Sequence, residues 1–195
     1  MGLYKLPDLT YSYEALEPHI SKEQLQIHHS KHHQAYVDKA NAALEKIANA
    51  RNENADLDMK SILKSLSFNV GGHVLHSLFW ENMAPDGKTE PDGQIADKIK
   101  QSFGNYDRFK KEFSESALTV EGSGWSALAI DQISGEPLIM QIEKHNVNLY
   151  PNARIILALD MWEHAYYIDR KNNKAEFVEA FWKLVDWTAA EKRLA

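Results

Sequence analysis

The most informative stretch of the sequence is Ile155-Ile-Leu-Ala-Leu-Asp160-Met-Trp-Glu-His164-Ala-Tyr-Tyr167. Its first half is an apolar run with the composition of a buried strand, and this run ends on the carboxylate of Asp160. His164 follows four residues later among aromatic side chains. A carboxylate buried among aromatic residues costs free energy unless a cation or hydrogen bonds compensate its charge. We therefore expect a metal ion here, with Asp160 and His164 as two of its ligands.

A histidine-rich segment near the N-terminus predicts a long amphipathic helix. Ser21 followed by Gln24 has the pattern of a capping box, which predicts a helix of about thirty residues beginning near Lys22. Residues spaced by three or four positions form one continuous apolar stripe along this helix. The stripe consists of Leu25, His28, His32, Tyr36, Ala40, Ala43 and Ile47.

The same spacing sorts the histidines of this helix into two groups. His28, His32 and Tyr36 should point inward, whereas His29 and His33 should turn away from the core. A single inward histidine is more often a core residue bonded to a carbonyl than a metal ligand. Here several segments each contribute an inward histidine, which favours a metal site.

A second helical pattern runs from about Met59 to Trp80 and contributes further candidate ligands. Gly71-Gly72 in its middle lowers helix propensity but lets another backbone or side chain approach closely. One face of this helix carries Ile62, Leu66, His73, His76 and Trp80. Histidines together with a carboxylate suit iron, manganese or zinc, and periodicity does not choose among these metals.

Composition narrows the classes of protein that the chain can represent. Its 195 residues can bury a core as one compact unit or two small lobes. Without cysteine, disulfides, iron–sulfur clusters and thiolate zinc sites are excluded. A net charge of −6 argues against nucleic-acid binding. Because neither a signal-peptide core nor a membrane-length apolar run is visible, we expect a soluble cytoplasmic protein.

The pattern of elements predicts an α+β fold. Residues 83–94 hold two prolines and two glycines and read as a linker. We therefore expect an N-terminal helical hairpin domain over 1–86 and a C-terminal α/β domain over 92–195 with a three-stranded antiparallel sheet and flanking helices. The predicted later helices are Ile95–Phe103, Tyr106–Leu118 and Lys174–Arg193, and the predicted strands are Trp125–Ile130, Leu138–Ile142 and Arg154–Asp160.

Four motifs together resemble the iron/manganese superoxide dismutase family, and in particular its archaeal members. They are His28-His-Ser-Lys-His32-His-Gln-Ala-Tyr36-Val, Asn69-Val-Gly-Gly-His-Val-Leu-His76-Ser-Leu-Phe-Trp80, Gly122-Ser-Gly-Trp125 and Asp160-Met-Trp-Glu-His164-Ala-Tyr-Tyr167. The likeness extends over nearly the whole chain and implies the α+β fold already expected. By motif position, it implies one iron or manganese ion per subunit held by His28, His76, Asp160 and His164.

The resemblance also implies an activity and a set of residues around the metal. Two superoxide anions and two protons would become dioxygen and hydrogen peroxide while the metal cycles between trivalent and divalent states. Tyr36 matches the family's gateway tyrosine, and His32 its neighbouring histidine. The resemblance further implies an apolar wall around the site, formed by Trp80, Trp125 and Trp162.

One departure from the family pattern leaves the metal open between iron and manganese. The glutamine that iron types place four residues before the second histidine ligand is Gly72 here, which favours manganese. Manganese types have a glutamine at a second position, before the third strand. In this chain His145 takes that position, and Asn146 is the lesser candidate for it. Tyr167-Ile-Asp, in contrast, is typical of iron types. Imidazole nitrogens exchange donor and acceptor roles with tautomer, so we expect His145 to bias the metal preference weakly and to allow activity with both metals.

The resemblance implies an oligomer as well. Glu163 lies beside a ligand, in a block too apolar for an exposed surface, and its carboxylate needs a partner. Glu163 would bond His164 of a second subunit, and Tyr167 would reach the second subunit's His32. The expected assembly is a homodimer, with pairing of dimers into a homotetramer as a second option.

Three other classes remain to be weighed. A di-iron carboxylate protein would need glutamate three residues before a histidine, and no histidine of this chain has one. A zinc hydrolase would typically show His-Glu-x-x-His, which is absent too. A metal-storage protein could use the same ligands without turnover, but storage gives no reason for Tyr36 and His32.

Overall fold

The computed structural model describes residues 3–87 and 90–194. The predicted long N-terminal helix is one continuous helical segment in three parts. These are α1 (Lys22–Ile27), a π-helical turn (His28–His33) and α2 (Gln34–Glu53). The segment ends at Asn54, whose left-handed backbone (φ 48°) stops the helix. The next helix, α3 (Met59–Glu81), packs against α2. The side chain of Asp58 caps its start by accepting the backbone N–H of Ser61.

The π-helical turn corrects the expected orientation of two histidines. His29 and His33 were expected to turn away from the core, but they are 6% and 0% exposed. The wider turn rotates successive residues by a smaller angle than an α-helix does, so the α-helical periodicity fails here. The side of the helix that they face is also covered. His29 contacts the backbone of Pro7, and His33 contacts Trp80.

The two glycines in the middle of α3 allow the close approach that the sequence predicts. A Cβ atom on Gly71 would lie 2.3 Å from the carbonyl oxygen of His145. A Cβ atom on Gly72 would lie 2.8 Å from Cγ of the Tyr36 ring. The pair therefore lets the backbone at His145 and the side chain of Tyr36 reach the surface of α3.

The C-terminal domain has the predicted antiparallel sheet. Helices α4 (Gly93–Phe103) and α5 (Tyr106–Leu118) precede three strands, β1 (Gly124–Asp131), β2 (Pro137–Glu143) and β3 (Ala153–Asp160). Their order is β2-β1-β3, and both pairings are antiparallel. In this register Trp125 lies opposite Asp160, so the strand end that carries the carboxylate adjoins a buried indole.

The predicted C-terminal helix over Lys174–Arg193 is wrong, because the chain forms two helices there. After a short 3₁₀ turn (Glu163–Ala165) and α6 (Tyr167–Arg170), α7 covers Lys174–Trp182 and α8 covers Trp187–Lys192. Between α7 and α8, Val185 forms a β-bridge to Met83, and the Asp186 side chain caps α8. These tertiary bonds replace a helical turn. The apolar side chains of this region are nevertheless buried, namely Phe177, Phe181, Leu184, Val185 and Trp187.

The linker predicted over 83–94 is shorter than expected, because α4 already begins at Gly93 and Met83 is buried. Its residues 88 and 89 lie outside the described part of the chain. Of the helices in the described ranges, none combines the length and the apolar character needed to cross a bilayer.

Replacing Gly71 with alanine tests the close packing of α3. In an exposed helix this change adds about 1 kcal/mol of stability. Here we expect the free energy of unfolding to fall by about 1–3 kcal/mol, because the methyl group overlaps the backbone of His145. Urea unfolding measures the change, and Lys64→Ala on the exposed face of the same helix is the control. A more stable Gly71→Ala variant would contradict the packing described here.

Candidate metal centre

The carboxylate of Asp160 is the centre around which the candidate ligands gather. It ends β3 and is 0% exposed. Its Oδ1 accepts the backbone N–H of Trp162 at 2.9 Å. Its Oδ2 faces three imidazole Nε2 atoms, those of His28 at 3.1 Å, His164 at 3.2 Å and His76 at 3.5 Å. The four ligand atoms all lie within 4.8 Å of one another.

The tautomer of His76 shows that hydrogen bonds alone do not account for this arrangement. Its Nδ1 lies 2.6 Å from the carbonyl oxygen of Gly72, which can only accept, so Nδ1 carries the proton. In a neutral ring, Nε2 then carries a lone pair directed towards the Asp160 carboxylate. Among the described residues, Nε2 of His76 has no hydrogen-bond partner. A cation between the two lone pairs would turn this repulsive contact into an attractive one.

Burial keeps the imidazoles of His28 and His76 neutral, as metal ligands must be. It lowers the pKa of His28 to about 4 and the pKa of His76 well below its usual range. Burial by itself would raise the pKa of Asp160, but the neighbouring His164 and His28 lower it below its usual range. The site therefore combines one carboxylate with three imidazole donors, a set that suits iron or manganese. The residues present fit such an ion.

Two of the inward-pointing histidines do not join the donor set. His32 is half-buried, and its ring stacks on that of His164 with centroids 4.3 Å apart. Nδ1 of His73 lies 2.8 Å from Nε2 of His33, so His73 belongs to a separate hydrogen-bonded pair.

Tyr36 packs against His76 of the donor set and against His145. Its ring centroid is 5.1 Å from that of His76 and 4.6 Å from that of His145. Burial, with a further contribution from the charge of Asp160, raises the pKa of Tyr36 above its usual value. The phenol therefore keeps its proton at neutral pH.

His145 is placed against the site by aromatic side chains. Its ring is 0% exposed and stacks on Trp162 at 4.4 Å with an interplanar angle of 7°. The indole N–H of Trp125 donates to its Nδ1 at 3.0 Å, so Nε2 carries the proton in the neutral ring. Burial lowers the pKa of His145 to about 4. The hydrogen bond from Trp125 favours one tautomer of His145. It therefore limits the exchange of donor and acceptor roles between the ring nitrogens that we expected from the sequence. Asn146 instead donates to Ser67 at 3.0 Å.

The three tryptophans expected around the site are in contact with it. The indole of Trp80 lies 4.8 Å from the ring of His28, and that of Trp125 lies 5.0 Å from His76. Trp162 stacks on His164 at 5.4 Å. It also lines a cavity of about 720 Å³ together with Phe68 and Asn146. Aromatic rings therefore exclude water from most of the space around the donors.

Gln24, which the sequence predicts as part of a capping box, has a different role beside the site. The backbone N–H of Gln24 does donate to Ser21 Oγ at 3.1 Å, as a capping box requires. The side chain of Gln24, however, does not return to the N–H of Ser21, which donates to Asp169 at 2.8 Å. It donates to the carbonyl oxygen of His164 at 2.6 Å. Local sequence spacing carries no signal for this contact with a distant loop.

An α+β fold with one carboxylate and three imidazoles converging between its two domains defines a mononuclear metalloprotein. Comparison with known proteins specifies the class further. Residues 3–84 match the alpha-hairpin domain of iron/manganese superoxide dismutases, and residues 91–193 match the C-terminal domain of the same family. The chain belongs to the iron/manganese superoxide dismutase family.

Curated relatives agree over nearly their full length. A protein of Methanothermobacter thermautotrophicus named superoxide dismutase (Fe) is 56% identical over 97% of this chain and 94% of its own. One of Pyrobaculum aerophilum with the same name is 50% identical over 98% of this chain and 92% of its own. A protein of Aeropyrum pernix named superoxide dismutase (Mn/Fe) is 47% identical over 98% of this chain and 90% of its own. The expected likeness to archaeal members is thereby confirmed.

Proposed function

We propose that this protein is a superoxide dismutase, which converts two superoxide anions and two protons to dioxygen and hydrogen peroxide. The observation that carries the proposal is the convergence of three imidazole Nε2 atoms on one buried carboxylate oxygen in a chain of this family. When bound, one iron or manganese ion per subunit supplies the one-electron couple, trivalent to divalent and back, that the reaction needs.

The metal is held by His28, His76, Asp160 and His164. Helices and a strand end present three of these ligands, so little reorganisation is needed when the ion binds. The donor types suit both iron and manganese. The names of the relatives point to iron in some cases and to either metal in one. We therefore infer that either metal can be held.

Tyr36, His145 and His32 handle the protons that peroxide formation consumes. Tyr36 keeps its phenolic proton because burial raises its pKa. Nε2 of His145 is a buried N–H donor that has no partner among the described residues, so it can hold a solvent molecule or the reduced substrate in place. Half-buried His32, stacked on His164, is the member of this group that meets solvent.

Replacing Asp160 or His76 with alanine tests the ligand assignment. Either change removes a donor, and the Asp160 variant also removes the negative charge that balances the ion. We expect both variants to lose nearly all bound metal on dialysis against a chelator, as measured by elemental analysis. His73→Ala, a histidine on the same helix outside the donor set, is the control and should keep its metal. Full metal content in the Asp160→Ala protein would disprove the assignment.

Replacing His145 with glutamine tests how metal preference is set. Glutamine can still accept the indole N–H of Trp125, but its amide presents a different donor geometry to the site. Wild type should be active with both metals. In the variant we expect the ratio of manganese-supported to iron-supported activity to shift by a factor on the order of ten.

The measurement requires each protein to be loaded separately with each metal and assayed for superoxide consumption. Asn146→Ala is the neighbouring control, since its amide bonds Ser67 away from the donors. An unchanged ratio in His145→Gln would return His145 to a purely structural role.

A homodimer is the second part of the proposal. Contrary to the expectation of an unexposed block, Glu163 is exposed in the single subunit, and within the described ranges no hydrogen bond or salt bridge joins its carboxylate to another side chain. Tyr167 and Ile168 beside it are 47% and 36% exposed. We infer that Glu163 bonds His164 of the partner subunit and that Tyr167 reaches the partner subunit's His32. Pairing of dimers into a tetramer would use a different surface.

Removing the carboxylate of Glu163 tests this interface. A hydrogen bond to a charged group contributes about 1.5–3 kcal/mol, so Glu163→Ala should raise the dimer dissociation constant at least about tenfold. Activity should fall with the dimer fraction. Analytical ultracentrifugation and activity assays at matched concentrations measure both, with Glu179→Ala, also exposed, as the control. A monomeric Glu163→Ala protein with full activity would show that the site does not depend on a partner.

A metal-storage role is the competing interpretation, because storage could use the same four ligands. The placement of Tyr36 and His145 on one side of the donors favours catalysis, since storage needs no group that holds a proton there. Superoxide consumption by metal-loaded protein separates the two roles. Retained metal without superoxide consumption would support storage.

We further infer that the chain divides into domains over 1–86 and 92–195 and acts in the cytoplasm. The two family matches, over 3–84 and 91–193, support the division. Limited proteolysis should then cut first between residues 86 and 92. Cell fractionation tests the location.

A further inference from the structure

Gln24 is a buried amide that no role described so far requires. It lies on α1, four residues before the ligand His28 and therefore on the same face of the helical segment. Its side chain is 1% exposed. Buried amides are retained where their hydrogen bonds are satisfied, so the partners of Gln24 indicate what it does.

Both ends of the amide bond the segment that carries the ligand His164. Nε2 of Gln24 donates to the carbonyl oxygen of His164 at 2.6 Å. Oε1 of Gln24 accepts the backbone N–H of Ile168 at 3.1 Å. In a continuous α-helix the N–H of Ile168 would bond the carbonyl of His164 directly, because the two residues are four apart. The amide of Gln24 thus bridges the carbonyl and the N–H that a single α-helical hydrogen bond would otherwise join.

This bridge matches the local break in secondary structure. The 3₁₀ turn that contains His164 ends at Ala165, and α6 begins at Tyr167. Without the amide, the free carbonyl of His164 and the free N–H of Ile168 could pair and extend α6 backwards. That would rotate the backbone of His164, whose Nε2 now lies 3.2 Å from Asp160.

A second contact joins the same two segments. The backbone N–H and the hydroxyl of Ser21 both donate to the carboxylate of Asp169, at 2.8 and 2.5 Å. This contact holds the start of α1 against α6. It does not touch the backbone of His164, which Gln24 contacts directly from the helical segment of His28.

We propose that Gln24 is a positioning residue that sets the orientation of His164 relative to His28 and so determines how tightly the metal is held. The proposal rests on the metal site proposed above and extends it to a residue outside the donor set. Groups that orient metal ligands typically alter metal affinity or activity by 10–100-fold when they are changed.

The test compares Gln24→Met with wild type as metal-loaded protein. Methionine has nearly the same length but neither donates to His164 nor accepts from Ile168. We expect metal loss to a chelator to be about 10–100-fold faster and the electron paramagnetic resonance spectrum of the iron(III) form to change. Gln26→Met, on the exposed side of the same helix, should match wild type in both measurements.

A second variant separates the two hydrogen bonds. Gln24→Glu keeps an acceptor for the N–H of Ile168, but its carboxylate cannot donate to the carbonyl of His164. If positioning acts through His164, this variant should also lose metal faster than wild type and show an altered spectrum. Ultracentrifugation and thermal unfolding of each variant check that assembly and folding are retained, and the glutamate variant carries the test if the methionine variant does not fold.

The outcomes distinguish this proposal from the proposed function. Variants that are only less stable, with wild-type metal release and a wild-type spectrum, would overturn the role of Gln24. Wild-type protein that holds metal but does not consume superoxide would overturn the enzymatic function, while metal release and the spectrum would still decide the role of Gln24. Wild-type protein that binds neither metal would overturn both.

Discussion

The contact of one carboxylate oxygen with three imidazole nitrogens is the interaction on which the rest of the structure depends. Asp160 is fully buried, and burying an unpaired carboxylate costs several kcal/mol. The backbone N–H of Trp162 and the imidazoles of His164 and His28 offset part of that cost, but His76 directs a lone pair at the carboxylate. A cation at this point would remove the remaining cost. The sheet ending at Asp160 and the helices carrying His28 and His76 must all converge there.

Several local departures from regular structure serve this convergence. The π-helical turn places His28 beside the other three donors and also buries His29 and His33. Gly71 and Gly72 remove the side chains that would hold Tyr36 and His145 away from α3. Each departure costs some helix stability, which the packing of aromatic rings against the imidazoles offsets. Irregular geometry is therefore concentrated around the metal ligands, as expected of a functional site.

The features of the fold and the site that could be predicted from the sequence are those that local residue patterns determine. Apolar periodicity located β3 and α3 within a residue or two, and β3 ends at Asp160 as expected. It failed where tertiary contacts decide the backbone. The break between α7 and α8 depends on the bridge from Val185 to Met83, and the burial of His33 depends on a turn that is not α-helical. The side chain of Gln24 was misassigned because its partners are distant in sequence. Of the four candidate ligands, His76 and Asp160 lie on elements whose type the sequence did predict, whereas His28 lies in a π-helical turn and His164 in a 3₁₀ turn that it did not.

The charge of the site explains how an acidic protein can attract an anionic substrate. The chain carries a net charge of −6, but surface charges are screened beyond about 8–10 Å at physiological ionic strength. Asp160 contributes one negative charge to the donor set, so a divalent or trivalent ion leaves the centre positive in either state. Trp80, Trp125 and Trp162 exclude water around it, which strengthens its attraction for a small anion at short range. The same apolar surroundings make a fixed proton supply necessary, because peroxide must not leave as a buried dianion. In the proposed function, protonated Tyr36 would provide that proton and the Nε2–H of His145 would hold the proton acceptor in place by a hydrogen bond.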